Sequence, residues 1–154
     1  MSASPAPYLI QALTPDLEAP LRELWTEVFG YPEPRNDPSR VLRDKREWDG
    51  DASGILVAVS VLDVTSSASR LLGSVMLGYD GHRGWLYRLA VSPDARRRGI
   101  AAALVREAEA RLTQWGCAKI NVQVHAHNAR AAAFWQKVGY PLEERLSYGK
   151  DLNA

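Results

Sequence analysis

A mixed α/β fold is predicted, with a mostly antiparallel sheet of six to seven strands and about four helices on its faces. Three patterns carry this expectation. Residues 55–62, 71–79 and 85–91 are β-rich runs joined by polar or glycine-containing connections, as in successive hairpins. From Gly99 to Gln114 the apolar positions Ala101, Leu104, Val105, Ala108, Leu112 and Trp115 recur at steps of three and four, one stripe of a helix. The alternating run Ile120-Asn121-Val122-Gln123-Val124 is then followed by a second helical pattern, so strand and helix interleave around one sheet.

The elements follow in order. Residues 8–13 read as a strand, and Thr14-Pro15-Asp16 supplies helix-start chemistry before Leu17, Leu21, Leu24, Trp25 and Val28 at helical spacing, with Gly30 as the stop. Residues 31–38 hold three prolines with Asn36 and Asp37, a stiff loop from which Pro38 opens a short helix to about Trp48. Asp49-Gly50-Asp51 is a turn, and residues 63–70 form a long hairpin loop between antiparallel strands. Asp80-Gly81-His82-Arg83-Gly84 connects the next pair. Gly116 ends the long helix. Asn128 can cap a helix carrying Ala131, Phe134, Trp135 and Val138 that stops at Gly139, and residues 140–151 add one or two final strands.

Composition narrows the class. With 154 residues, 46% hydrophobic and 24% charged, the chain can bury roughly two-thirds of its extended surface as one domain, expected over 8–154 behind a flexible segment 1–7. Nineteen basic against eighteen acidic residues leave a net charge of +1, so no global field favours nucleic acid or an anionic membrane. The start lacks the basic flank and apolar run of a signal peptide, no stretch approaches about 18 uninterrupted apolar residues, and the single Cys117 suits a reducing compartment; a cytoplasmic location is expected.

The chemistry concentrates in Leu89-Ala90-Val91-Ser92-Pro93-Asp94-Ala95-Arg96-Arg97-Arg98-Gly99-Ile100-Ala101, a strand, a short turn, three arginines and a helix start. This is a pattern for anion capture. Gly99 leaves the backbone open, Ala101 adds little bulk, and the first-turn amides point outward at the positive end of the helix dipole, where a pyrophosphate fits. Arginines 96 to 98 would steer or clamp it. The alternative for the same run is a solvated basic turn.

The segment resembles the GNAT superfamily of N-acetyltransferases. That family's acyl-CoA signature of Arg or Gln, two residues, Gly, any residue, then Gly or Ala is matched by Arg96, Gly99 and Ala101, after Val91-x-Pro93. Downstream, the run from Asn128 through Phe134-Trp135 to Gly139-Tyr140 is similar to the family's second motif at the expected separation. The runs Asn36-Asp37-Pro38, Gly78 to Gly84, Arg98-Gly99-Ile100-Ala101, Gly116-Cys117-x-Lys119-Ile120 and Leu146-Ser147-x-Gly149-Lys150 also resemble a YpeA-type bacterial branch.

The resemblance implies a sheet splayed between strands 4 and 5, with the pantetheine arm of acetyl-CoA held there by main-chain groups near Leu89, Ala90 and Val91 as an added strand. It implies a diphosphate site spanning Arg96, Arg97, Arg98, Gly99, Ile100 and Ala101, an amide near Leu89 or Val91 facing the thioester oxygen, and Asn128, Phe134 and Trp135 on the cofactor side. Capping is an alternative role for Asn128 and core packing one for Trp135. The implied activity is direct transfer of an acetyl group to a primary amine in a ternary complex, with a small-molecule or peptide acceptor and no metal, nucleic acid or membrane; a homodimer through an exposed strand edge is left open.

Two positions depart from the family pattern. Many relatives carry a catalytic glutamate where Tyr87 stands here, which leaves Tyr87 with a water, Asp80 or His82 as candidates for proton removal. Many also protonate the leaving thiolate from a tyrosine where Trp135 stands, and indole cannot do this; Tyr140 and Tyr148 are substitutes, and a thiol of pKa about 8.5 leaves tolerably without help. On the acceptor side Asn36, Asp80, His82 and Arg83 are candidates, Arg83 as a carboxylate anchor. His125-x-His127 lacks a third metal ligand of clear spacing, and Cys117 suits a small filler. Two other classes compete: a catalytically weak acyl-CoA sensor or partner-binding module, kept in view by Tyr87 and Trp135, and a nucleotide or nucleic-acid binder using the arginines.

Overall fold

The computed structural model describes residues 7–30, 33–50, 54–61 and 70–152. Most of the N-terminal segment 1–7, part of the proline loop at 31–32, Asp51 of the expected turn, residue 62 at the expected strand end and nearly all of the loop 63–70 lie outside them. By contact density the chain divides into two units, Met1–Val122 and Gln123–Ala154.

The first unit is a five-stranded sheet in the order β1-β2-β3-β4-β5, comprising β1 (Tyr8–Ala12), β2 (Ile55–Ser60), β3 (Leu71–Tyr79), β4 (Gly84–Val91) and β5 (Ile120–Val122). β1 to β4 pair antiparallel, as the hairpin series predicted, and β5 joins β4 in parallel. Three helices flank the sheet: α1 (Glu18–Phe29), α2 (Pro38–Asp49) and α3 (Ile100–Gln114). The strands alternate, so their two faces reach different layers. Ile55, Val57, Val59, Leu71 and Ala90 pack with Leu21, Leu24 and Trp25 of α1 and Leu42 of α2. Leu56 and Ala58 point the other way, and α3 packs against β2, β3 and β4 with Ile100, Leu104, Val105, Ala108 and Leu112 buried.

The helix starts obey different chemistry. Thr14 makes no side-chain cap bond; a short 3-10 turn, Pro15–Leu17, precedes α1 instead. Asp37 is a working cap, its Oδ1 accepting from the amides of Ser39 at 2.8 Å and Arg40 at 3.3 Å while Pro38 takes the position that needs no donor. Asp37→Ala is expected to cost about 1 kcal/mol and lower the melting temperature by about 2–4 °C, read by a thermal melt.

The second unit holds α4 (Ala129–Lys137). The Asn128 side chain caps it, accepting from the Ala131 amide at 3.0 Å. Trp135 is buried, edge-on to Phe134 and Tyr140 at centroid distances of 5.2 and 5.1 Å. The Gln123 side chain donates to Ser147 Oγ at 2.8 Å.

The expectation of six to seven strands is corrected to five among the described residues. β5 stops at Val122 rather than Val124, and residues 140–151, expected to add strands, form none. A β-run becomes a strand only when its amides find a neighbour's carbonyls, and that tail leaves Leu142, Leu146, Tyr148 and Leu152 exposed.

Candidate active site

The site grows from one continuous run, β4 into α3. β4 and β5 pair only at Gly84–Ile120, Trp85–Asn121 and Leu86–Val122. Beyond Leu86, no described strand pairs with that side of β4, so Tyr87 to Val91 is an edge open to another extended chain.

The same stretch is kinked. On the β3 side, Met76 pairs with Tyr87 and Ser74 with Ala90, so Arg88 and Leu89 together oppose Val75 alone. This is a β-bulge, and Arg88 enters it with φ of 51°, a left-handed conformation that a residue with a side chain adopts only when its surroundings enforce it. The surroundings are visible. The Ser74 hydroxyl donates to the Arg88 carbonyl at 3.3 Å and accepts from the Trp25 indole at 2.8 Å. The Arg88 guanidinium lies over the rings of Trp25 and Phe29, at 5.0 and 5.6 Å from their centroids, and donates to the Asn36 carbonyl at 3.1 Å. Its partial burial lowers its pKa, a shift with no effect on its charge near neutrality.

Past Val91 the turn is anchored by the Ser92 amide on the Leu72 carbonyl at 2.8 Å. The Asp94 carboxylate accepts from Ser92 Oγ at 2.6 Å and pairs with Arg70; that ion pair and the serine bond hold it below the ordinary carboxylate range. The Asp94 charge in this turn is thus already matched by a cation.

Arg97 and Gly99 take positive φ, 63° and 74°, at the entrance to α3. The first bond of the helical ladder runs from the Ala103 amide to the Gly99 carbonyl at 3.0 Å, so the amides of Ile100, Ala101 and Ala102 have no acceptor within the helix. A Cβ built on Gly99 would meet nothing within 4 Å. Space is therefore open on the Gly99 side of this helix start, the kind of terminus at which anions bind. Arg96 and Arg97 are exposed beside them, whereas the half-buried Arg98 lays its guanidinium over the Tyr8 ring at 5.9 Å and ties the turn to β1.

The acceptor-side candidates separate. Asn36 reaches the bulge through its main chain, by way of Arg88. Asp80 Oδ1 accepts from the amides of Arg83 at 2.7 Å and His82 at 2.8 Å, which hold its carboxyl below the usual range; it shapes the turn and is a weak proton acceptor. Arg83 donates to Asn121 Oδ1 at 3.2 Å, linking the start of β4 to β5. His82 is exposed. Tyr87 stacks near Trp85 at 6.4 Å, and burial, with the Asp80 charge second, raises its phenol pKa above the ordinary value. It stays protonated at neutral pH and can donate or relay but not act as a phenolate. Cys117 Sγ donates to the Lys119 carbonyl at 3.2 Å and fills space beside Gly84. Asn128, Phe134 and Trp135 come together in the second unit, the first as a cap. His125 accepts from the His127 amide at 3.4 Å, and no described cluster of three metal-ligating side chains exists.

Sequence reasoning missed Arg88, Ser74 and Trp25 as site residues. The available signal was Arg88 itself, a charge in mid-strand between Leu86 and Ala90; the partners sit 14 and 63 residues away in the chain (88 − 74 and 88 − 25) and leave no local pattern.

The site thus joins an unpaired strand edge to a helix start whose first amides have no acceptor within the helix. The chain belongs to the acetyltransferase (GNAT) family, whose profile matches residues 18–140, and by that membership it is an N-acetyltransferase. It is 38% identical over 120 residues to an acetyltransferase of Sodalis glossinidius (strain morsitans), covering 77% of this chain and 78% of that one. An acetyltransferase of Yersinia enterocolitica serotype O:8 / biotype 1B is 37% identical over 119 residues, with the same coverage. The fold is similar to an aminoglycoside N-acetyltransferase solved in complex with CoA, with a TM-score of 0.73, 16% identity and coverage of 99% of both chains. It is also similar to a Trypanosoma brucei acetyltransferase, with a TM-score of 0.65, 20% identity and coverage of 94% of this chain and 99% of that one. Among the described residues no helix is long and apolar enough to cross a membrane.

Proposed function

We propose that this protein, acting over 8–154 as one catalytic domain of a bacterial cytoplasmic enzyme of the YpeA-like branch, transfers the acetyl group of acetyl-CoA to a primary amine by direct attack in a ternary complex. The observation that carries the reading is the unpaired edge of β4 beyond Leu86 leading, through the turn at Ser92 to Gly99, to the acceptor-less amides of Ile100 to Ala102. Main-chain groups of Leu89 and Val91 bind the pantetheine amides, and the first turn of α3 with Arg96 and Arg97 binds the diphosphate. The Leu89 amide, turned by the bulge, stabilises the oxyanion as the amine nitrogen bonds to the acyl carbon. The carbon–sulfur bond then breaks, the thiolate leaves, and the amine's proton passes to water. The acceptor is a small molecule or peptide amine, with Arg88, Tyr87 and the turn of Asp80 to Arg83 on its side of the sheet; no metal, nucleic acid or membrane takes part.

The test is calorimetric binding of acetyl-CoA followed by free-thiol release with spermidine, kanamycin, L-lysine amide and a glycine-terminated peptide. Binding in the micromolar range with turnover of at least one amine supports the reading; absence of binding overturns it. A second reading, an acyl-CoA sensor, is favoured by the absence of a carboxylate on β4, and tight binding without turnover of any amine would select it.

Tyr87→Phe is expected to lower kcat about a hundredfold, the low end of proton-transfer contributions, without moving the pH–rate limb below about pH 9. The sign follows from the raised phenol: its protonated form persists up to the ordinary value of about 10 and is lost only as pH rises through the elevated one. A limb that shifts in the variant would show Tyr87 titrating within the working range.

A further inference from the structure

We propose that Ser74 and Trp25 are positioning residues for catalysis, a buried hydrogen-bond relay that fixes the peptide plane between Arg88 and Leu89 and thereby aims the Leu89 amide at the acyl oxygen. The inference rests on the transferase reading above and adds to it the device that holds the amide in place.

The geometry is a chain of two bonds. The Trp25 indole donates to Ser74 Oγ at 2.8 Å, and the Ser74 hydroxyl donates to the Arg88 carbonyl at 3.3 Å. Serine has one proton to give. With the indole approaching as a donor, Ser74 is left to accept from it and to direct its own proton elsewhere, and the Arg88 carbonyl is the acceptor within reach. Both Ser74 and Trp25 are completely buried, so water does not compete for either bond. The Arg88 carbonyl and the Leu89 amide belong to one trans peptide unit and point in opposite directions. Pulling the carbonyl towards Ser74, on the β3 side, turns the Leu89 N–H towards the side where β4 has no strand partner beyond Leu86.

The arrangement holds a conformation that would otherwise relax. Arg88 has φ of 51°, a region in which a residue with a Cβ is disfavoured. The bulge has already removed this peptide from the regular ladder, because Arg88 and Leu89 share one opposing residue, Val75. Its orientation is therefore set by groups outside the ladder. Trp25 contributes twice, through its N–H on Ser74 and through its ring face beneath the Arg88 guanidinium at 5.0 Å. An oxyanion donor that is free to rotate has to be ordered during the reaction, whereas one fixed beforehand does not.

The experiment compares wild type with Ser74→Ala, which removes both bonds, Trp25→Phe, which removes the first donor and keeps an aromatic ring, and Ser74→Thr, which restores a hydroxyl. Acetyl-CoA labelled with carbon-13 at the acetyl carbonyl is bound to each, and its infrared band is read beside calorimetric affinity for coenzyme A and kcat on the amine panel. Coenzyme A has no acyl oxygen, so its affinity reports folding and cofactor binding without the amide's role. The expected result is a wild-type band lowered from its position in water, returned at least halfway by Ser74→Ala. The same variant should lose about tenfold in kcat, below the 10²–10³ of deleting a donor outright, with coenzyme A affinity within twofold. Ser74→Thr should recover kcat to within threefold, and the Ser74→Ala/Trp25→Phe double variant should be no worse than Ser74→Ala, as a relay in series requires. Should Ser74→Ala fail to fold, Trp25→Phe is read alone against the same criteria with about a threefold loss. An unmoved band and kcat, or a coenzyme A affinity that falls as far as kcat, would overturn the relay. Wild type that binds coenzyme A but leaves the acetyl band where it is in water would overturn the relay while the cofactor reading stands. Wild type that binds no coenzyme A would overturn both.

Discussion

Gly99→Asp is expected to weaken acetyl-CoA binding by at least about 100-fold while leaving the protein folded. A carboxylate about 4 Å from a diphosphate, at the effective dielectric of a protein surface, repels it by about 4 kcal/mol, which converts to between 10²- and 10³-fold. The site tolerates the new atoms: a Cβ at Gly99 meets nothing within 4 Å. Backbone strain is the other cost of substitution, since φ is 74° there, but Asp and Asn adopt this region more readily than other side-chain-bearing residues. Gly99→Asn carries nearly the same shape and strain without charge, so it should stay within about threefold of wild type in the same calorimetric titration. Equal affinities for all three proteins, with melting temperatures unchanged, would remove the diphosphate from this helix start.

The largest stability effect is expected at Gly73. It pairs with Val91 across the β3–β4 ladder, and a Cβ there would stand 2.9 Å from the Ala90 carbonyl oxygen, 3.2 Å from Ile100 Cγ2 and 3.3 Å from Leu104 Cδ1. The first is backbone and cannot rotate away. The other two belong to the fully buried underside of α3. Gly73→Val adds two methyl groups beyond that Cβ, so α3 must lift or β4 must move, at a cost of about 3 kcal/mol. For a chain of this size that corresponds to about 6–12 °C in melting temperature, with urea unfolding showing a lower midpoint at unchanged slope. Because Ile100 is the first residue of α3, the displaced helix start should also weaken acetyl-CoA binding about tenfold. A valine variant as stable as wild type would show that this layer is packed more loosely than the distances state.

These two glycines were not equally legible in the sequence. Gly99 falls in a spaced motif with Arg96 and Ala101, and the chemistry of a helix start makes that spacing meaningful before any coordinates exist. Gly73 lies in a β-rich run with nothing to distinguish it, because its constraint comes from Ile100 and Leu104, about thirty residues along the chain. The helices follow the same division. The α3 stripe from Leu104 to Leu112 was readable, as was the Asp37-Pro38 start of α2, whereas Thr14 offered cap chemistry that the 3-10 turn at Pro15–Leu17 displaced. Arg83 stands out in the sequence as a candidate acceptor anchor, but its bond to Asn121, 38 residues away, has no local signal.

The amino-acid order alone determined the hairpin series β2 to β4, the amphipathic helices and the glycine-led start of α3, because each depends on residues within a few positions of one another and on backbone geometry that repeats locally. Tertiary structure decided the bulge at Arg88 and Leu89, the relay from Trp25 through Ser74, the place where β5 parts from β4, and the failure of residues 140–151 to become strands. Those outcomes depend on which distant groups meet, and a hydrogen bond between residues 49 positions apart leaves no periodicity from which it could be read.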